Sequence, residues 1–299
     1  MKTSRVTIVI ASGAGGEFLF RCLDSLREQA ARRGAAIIVV DRVGEPVRQR
    51  VAREHPHVQL IAAPVDHRAT IPELRRIGAE HASGSIVAVL EEHCTAPAGW
   101  LDAIEENFKE GDAAIGGPIL ADRFTRMRDW VVYFSEYHGF MPPWPAGERL
   151  ALNGANIAYD RAKLLAHRAV LDTGYWEVVL HPLLARDGKF RAIDAMGAYH
   201  TGPFDFGYYL RQRYLLSRVW GGTQKALVGP AVRLAHIALA PIFPFVMLAR
   251  ITLRVKERPG LVSHFVGAVP MLLVAMCALT LGETLGYLFG PGRALEAVE

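Results

Sequence analysis

Cysteine is scarce in this sequence. Cys22, Cys94 and Cys277 are the three in 299 residues, they lie far apart, and no Cys-x-x-Cys occurs. That excludes a disulfide-stapled scaffold and a cysteine-ligated structural zinc site, and the spread fits a reducing compartment. Charge of one sign is also in short supply. The formal net charge is +4 and the pI about 9.0, well short of the footprint of a nucleic-acid binder. Lysine is rare beside arginine, a bias that suits codon usage as well as phosphate clamping. There is no internal repeat and no low-complexity stretch. The glycine-rich segment Ala11–Gly16 contains no lysine or arginine, so it lacks the basic cradle of a nucleotidyltransferase. Its glycines also miss the spacing of a dinucleotide fingerprint. No secretory leader is expected, because the apolar run Val6–Ala11 is too short for one.

What is present is apolar residue, 51% of the chain, with 21% charged. That is enough for a sizeable core and excludes bulk disorder. The first two hundred residues alternate strand and helix signals. β-branched runs at 6–11, 35–40, 58–62 and 85–90 read as strands, with a further strand over 113–119. Helical spacing marks 18–31 and 71–82, a short helix fits 47–53, and another opens at Pro97–Trp100. A last strand is expected over 192–199. This order predicts an α/β fold, a mostly parallel sheet with helices on both faces. Ligands bind such sheets at the carboxyl ends of the strands. Asp41 stands there after the second strand, and Glu91-Glu92-His93 after the fourth. The segment 130–145, rich in aromatics and proline, reads as a surface loop or broken helix suited to a lid or acceptor groove.

After Gly229 the composition changes. Residues 231–252 and 261–290 are apolar with few interruptions, and each exceeds the ~20 residues that cross a hydrocarbon core. Neither has a polar face, which favours membrane contact over a pair of buried helices in a soluble domain. Arg254, Lys256 and Arg258 in the connector oppose a simple hairpin with its connector outside, and Pro241 and Pro244 interrupt the first run. The first run therefore reads as spanning, re-entrant or interfacial.

Several side chains could carry chemistry. Glu91 and His93 project to one side of an extended chain, and a carboxylate with an imidazole suits a divalent cation. A solvated loop would show the same residues. Asp41 could accept from a ribose or base, or cap a turn. Arg75 and Arg76 could reach a diphosphate. His200 could close a metal site. Glu177, beside Trp176, fits a general base or an acid at a helix N-terminus.

Taken in order, these segments resemble a family 2 glycosyltransferase of the GT-A fold, from Val6 to about Arg218. The resemblance rests on Ile37-Ile-Val-Val-Asp41, on Leu74-Arg75-Arg76-Ile77-Gly78 and on the run from Ala82 to Leu90. It continues with Glu91-Glu92-His93 in place of an Asp-x-Asp motif, Pro97-Ala-Gly-Trp-Leu101, Gly116-Gly-Pro118 and Asn153-Gly-Ala-Asn156. Gly174-Tyr-Trp-Glu177 stands where that family has Glu-Asp, and Arg211-Gln-Arg-Tyr214 is similar to a Gln-x-x-Arg-Trp motif.

The resemblance implies a GT-A catalytic domain over 1–225 and an apolar, membrane-associated helical region over 226–299. It implies inverting transfer of a sugar from a nucleotide-diphosphate donor, with Mn²⁺ or Mg²⁺ held by Glu91, His93 and His200. Glu177 would be the catalytic base. Asp41, Arg75 and Glu92 would contact the donor, Arg211 and Arg213 its phosphates, and Asn153, Asn156 and Trp176 the sugar or acceptor. The aromatics at 130–144 would stack on sugar rings or meet lipid. The apolar tail implies a lipid-linked acceptor or an envelope glycan, membrane lipids as partners, and a catalytic domain on the cytoplasmic face. The alternative is an inactive nucleotide-sugar-binding relative, or scaffold of a glycan synthase complex, favoured by the altered acidic motifs.

Overall fold

A computed structural model describes residues 4–122, 124–200 and 205–298. The chain divides into two compact units. One takes Met1–Asp122 and Phe140–Thr201, the other Arg123–Gly139 and Gly202–Glu299. In chain order the elements begin β1 (Val6–Ser12), α1 (Glu17–Arg33), β2 (Ala36–Asp41), α2 (Glu45–Glu54), β3 (Gln59–Ala62), α3 (Ile71–His81) and β4 (Ile86–Leu90). Then come β5 (Cys94–Thr95), α4 (Trp100–Asn107), β6 (Asp112–Gly116), β7 (Ile119–Ala121), α5 (Met127–Tyr137), β8 (Gly147–Glu148) and β9 (Asn156–Asp160). They continue with α6 (Arg161–Ala166), α7 (Trp176–Val179), α8 (His181–Asp187), β10 (Lys189–Ala192) and β11 (Ala198–His200). The C-terminal helices are α9 (Phe206–Leu227), α10 (Pro230–Leu239), α11 (Phe243–Val255), α12 (Val262–Phe289) and α13 (Ala294–Ala297).

The first unit is built on an eight-stranded sheet in the order β3-β2-β1-β4-β9-β6-β10-β8. β1 pairs in parallel with β2 and β4, β2 with β3, and β6 with β10. β9 runs antiparallel between β4 and β6, and β8 is antiparallel at the edge. The mostly parallel α/β sheet expected from the strand pattern is therefore present, with β9 inserted at its centre. Every residue of β1 and β4 is buried, as a strand covered on both faces requires. α3 is fixed at its start by a capping box, with the Thr70 hydroxyl accepting from the Glu73 amide and the Glu73 carboxylate accepting from the Thr70 amide. It lies flush on β1 because Gly78 has no side chain. A methyl group there would come 2.3 Å from Val9 Cγ1.

A second sheet of three short strands, β5-β11-β7, carries the end of the unit. The single strand expected over 192–199 is instead two, β10 in the large sheet and β11 in the small one, separated by a 3-10 turn at Asp194–Met196. The chain changes sheets there. Gly117 makes the crossing possible, because a methyl group on it would lie 1.7 Å from the Met196 carbonyl oxygen.

The second unit is helical. Of the two readings of 130–145, the broken helix is the one observed: 138–145 carries no helix or strand, and 130–137 belongs to α5. It is a regular helix whose Trp130, Val131, Val132, Tyr133, Phe134 and Tyr137 are buried. The unbroken apolar run Trp130–Phe134 at its centre masks the 3.6-residue period that would have identified it. Trp130 stacks on His264 of α12 with ring centroids 4.0 Å apart and planes 9° from parallel, and Phe134 meets Phe265 edge-on. These aromatics are packed against helix, so they offer no stacking faces to a sugar. α12 also runs against α9, where glycines let the backbones touch. A methyl group on Gly282 would lie 2.2 Å from the Tyr214 carbonyl oxygen, and one on Gly221 2.3 Å from that of Glu283. Two helical stretches, Pro230–Val255 of 26 residues and Pro259–Phe289 of 31, are long and apolar enough to cross a membrane by length and composition. Of their most apolar windows 11% and 39% respectively is buried.

Candidate active site

Four segments of the first unit meet at the carboxyl ends of β1, β2 and β4. The pairing of β4 with β9 sets Leu90 opposite Asn156, so Glu91 leaves one strand beside the turn that enters the other. The Glu91 amide donates to the Ala155 carbonyl at 2.9 Å. His93 Nδ1 is 3.3 Å from Glu91 Oε1. The small sheet pairs His200 with Cys94, which brings the His200 ring to 6.3 Å from that of His93. Burial disfavours charge on Glu91, yet the hydrogen bond to His93 and the charges of His93, His200 and Arg75 outweigh it and hold the carboxyl at about 2. His200, more than a hundred residues away in sequence, thus comes beside Glu91 and His93. Their donor chemistry, an ionised carboxylate and two buried imidazoles, fits a divalent cation of the Mn²⁺ class. Among the described residues, no three His, Cys, Asp or Glu side chains converge closely enough to enclose an ion by themselves.

Glu92 points away from this cluster. Its carboxylate accepts from the amides of Gly13, Ala14 and Gly15 at 2.9, 2.8 and 3.0 Å, closing the turn after β1. Burial pushes its pKa up while His93 and the three amides pull it down. The donor contact expected of Glu92 is replaced by this internal role. Asp41 is likewise fully buried and its oxygens are used inside the fold. Oδ1 accepts from the Ser12 hydroxyl and the Val43 amide, Oδ2 from the Gly44 amide and Arg48 Nε at 2.8 Å. Beside it Arg42 reaches the carbonyls of Gly13 and Ala69.

Glu177 and Arg75 present a different picture. α7 carries Glu177 in its first turn, and α3 carries Arg75 on its buried face. Both side chains crowd the bare Cα of Gly154: a methyl group there would lie 1.7 Å from Glu177 Oε1 and 3.3 Å from Arg75 Nη1. Glu177 Oε2 is buried with no hydrogen-bond partner among the described residues. Next to them, the Tyr159 hydroxyl and His181 Nε2 are 2.8 Å apart. Burial pushes the His181 pKa down to about 4, with the charge of Glu177 opposing the shift and that of Arg75 adding to it, so the imidazole is neutral at pH 7.

Asn153, expected to orient a sugar, shapes its own turn: Oδ1 accepts the Ala155 amide at 2.7 Å. Asn156 is fully buried, accepting from Trp100 Nε1 and donating to the carbonyls of Pro118 and Met196. Trp176 is fully buried too, donating Nε1–H to the Leu171 carbonyl and meeting Tyr159 edge-on. Neither side chain faces open space, so both serve the fold. Arg211 and Arg213 belong to α9 in the second unit, where Arg213 Nε pairs with Glu136 at 3.4 Å. Tyr159 and His181 escaped the sequence reading, and Gly154 entered it only as part of the Asn153–Asn156 motif. The short apolar run Ile157-Ala-Tyr159, bounded by Asn156 and Asp160, was the one signal for Tyr159.

No profile of a known family matches the chain. Its fold is shared by solved GT-A-type glycosyltransferases. Against the mannosyltransferase PcManGT from Pyrobaculum calidifontis, solved with GDP-Man and Mn²⁺, the TM-score is 0.58 at 17% identity, covering 96% of this chain and 88% of that one. Against GalNAc-T7, solved with UDP, GalNAc and Mn²⁺, it is 0.51 at 15% identity, covering 67% and 43%. The S. aureus TarS 1-349 structure gives 0.50 at 11% identity, covering 91% and 80%. A curated relative, polypeptide N-acetylgalactosaminyltransferase 3 of Drosophila melanogaster, is 22% identical over 231 residues, or 73% of this chain. The chain spans about a third of that relative's length, 31%. The chain has the GT-A α/β fold, with two apolar helical stretches added at its C-terminal end.

Proposed function

We propose that the chain is a metal-assisted, inverting glycosyltransferase that moves a sugar from a nucleoside-diphosphate donor to a membrane-held acceptor. The observation that carries this reading is the Glu177 carboxylate seated against Gly154, with the Arg75 guanidinium on the same bare Cα. An acid with a buried, partnerless oxygen and a buried guanidinium meet at the strand ends of a GT-A sheet. Buried polar atoms are ordinarily satisfied, so an unmet Glu177 oxygen fits a ligand's proton donor. Arg75 would hold the diphosphate. Glu177 would take the proton of the acceptor hydroxyl as its oxygen bonds to the anomeric carbon and the bond to the diphosphate oxygen breaks. Glu91 and His93, joined by His200, are the residues that would hold a divalent cation, which when bound neutralises charge on the leaving diphosphate. The solved neighbours with GDP-Man, UDP and Mn²⁺ support that chemistry by fold.

The acceptor reading rests on the C-terminal helices. A core helix of a soluble protein is mostly covered, whereas only 11% of the Pro230–Val255 window is. Leu234, Ile242, Phe245 and Leu253 are exposed on it. Such a surface fits lipid, and Arg254, Lys256 and Arg258 at its end fit anionic headgroups on the cytoplasmic side. A donor-binding relative without turnover is the second reading, favoured by the internal use of Asp41.

The test is turnover of a panel of UDP- and GDP-sugars by detergent-solubilised protein with Mn²⁺ and a membrane lipid extract. Glu177→Gln is expected to abolish transfer and leave donor binding intact. Equal loss of both sinks the base assignment, and binding without turnover by wild type establishes the second reading.

A further inference from the structure

We propose that the turn Asn153–Asn156 is the spacer that fixes the acceptor-side carboxylate relative to the donor-side cluster, with Gly154 its positioning residue. The proposal rests on the reading of Glu177 as the base. Four consecutive residues connect the two halves of the site. Asn153 closes the turn by accepting the Ala155 amide through its side chain and, at 3.3 Å, the Asn156 amide through its carbonyl. Ala155 accepts the Glu91 amide, so the turn is pinned to the metal-cluster segment. Between them Gly154 is buried and offers a bare Cα as the seat of the Glu177 carboxylate. Asn156 then locks the end of the turn to Trp100, Pro118 and Met196. A rigid tetrapeptide thus touches Glu91 through its backbone and Glu177 through its surface.

The identity of the clashing atoms decides what a side chain at 154 would do. A methyl group meets the far end of a flexible glutamate, not backbone. The fold can therefore accept alanine by swinging the carboxylate aside, with Arg75 yielding a few tenths of an ångström. The site loses its geometry while the protein keeps its fold. A displacement of ~1 Å at a reacting group costs ~100-fold in rate.

The experiment compares wild type, Gly154→Ala, Glu177→Asp, Glu177→Gln and the double variant Gly154→Ala/Glu177→Asp, as full-length protein in detergent. Transfer is read as kcat with the donor turned over from the UDP- and GDP-sugar panel. Binding is read as the Kd for that donor's nucleoside diphosphate with Mn²⁺. Gly154→Ala is expected to lower kcat ~100-fold with Kd within about threefold of wild type. The double variant is expected to recover part of that loss, because aspartate withdraws the carboxylate from the new methyl group. Wild-type kcat in Gly154→Ala overturns the proposal. So does a parallel loss of binding and kcat, or a double variant no better than Gly154→Ala. Full activity of Glu177→Gln, or no turnover of any donor by wild type, overturns instead the reading on which the proposal stands.

Discussion

His181 shows how one buried side chain ties stability to pH. Its imidazole is neutral in the fold, with a pKa near 4 against about 6.5 when exposed. A depressed histidine contributes stability that is complete above pH 6.5 and is lost as the pH falls toward 4, because the unfolded chain binds the proton first. The shift corresponds to on the order of 3 kcal/mol at its limit. Urea unfolding at pH 7.0 and pH 4.5 should therefore show a steeper loss for wild type than for His181→Gln. Equal losses would place the acid sensitivity elsewhere. The same local reasoning separates the acidic residues of the site. Glu92 and Asp41 are surrounded by donors from the fold, whereas Glu177 Oε2 has none among the described residues. Replacing Glu92 by glutamine should leave one of three amides poorly met and lower stability by ~1–3 kcal/mol. Replacing Glu177 should cost activity and little stability. Denaturant midpoints of the two variants distinguish the roles.

At the scale of elements, the small three-stranded sheet delivers His200 to His93, and it hangs on Gly117. A Gly117→Ala side chain would run into a backbone carbonyl, which cannot rotate away as a glutamate can. The variant should be destabilised by ~1–3 kcal/mol, and Mn²⁺-dependent donor binding should weaken as β11 shifts. Binding unchanged would separate His200 from the metal cluster. The sequence displayed the parallel strands plainly, because Val6–Ser12 and Ile86–Leu90 are short β-branched runs followed by turn residues. It also brought Glu91, His93, His200, Arg75 and Glu177 forward as single candidates. It could not show that β9 enters the middle of the sheet, since an antiparallel insertion leaves the same short apolar pattern as an edge strand. Nor could it separate Glu177 from Glu92. The difference lies in which backbone amides fold back onto each carboxylate, and amides carry no residue identity. α5 was hidden for a related reason: the five consecutive apolar residues Trp130–Phe134 mask its helical period.

For the whole molecule, the bare apolar surface of α10 and α11 predicts behaviour in bulk. Full-length protein should float with liposomes of phosphatidylcholine and phosphatidylglycerol and be retained through an alkaline carbonate wash. Neutralising Arg254, Lys256 and Arg258 with glutamine should reduce capture by anionic vesicles at low salt, as each basic group near such a surface adds ~1 kcal/mol. Protein that stays in the supernatant without detergent would remove lipid as the covering of these helices.

The placement of α5 has a consequence for synthesis. This helix is made between β7 and β8, but its packing partner α12 comes almost at the end of the chain. Translation advances at about 5–20 residues per second, so the aromatic face carrying Trp130 and Phe134 waits several seconds or longer for His264 and Phe265 to leave the ribosome. Through that interval the growing chain carries an uncovered apolar helix, so its yield in a cell should depend on whether a chaperone or a lipid surface shelters the helix first.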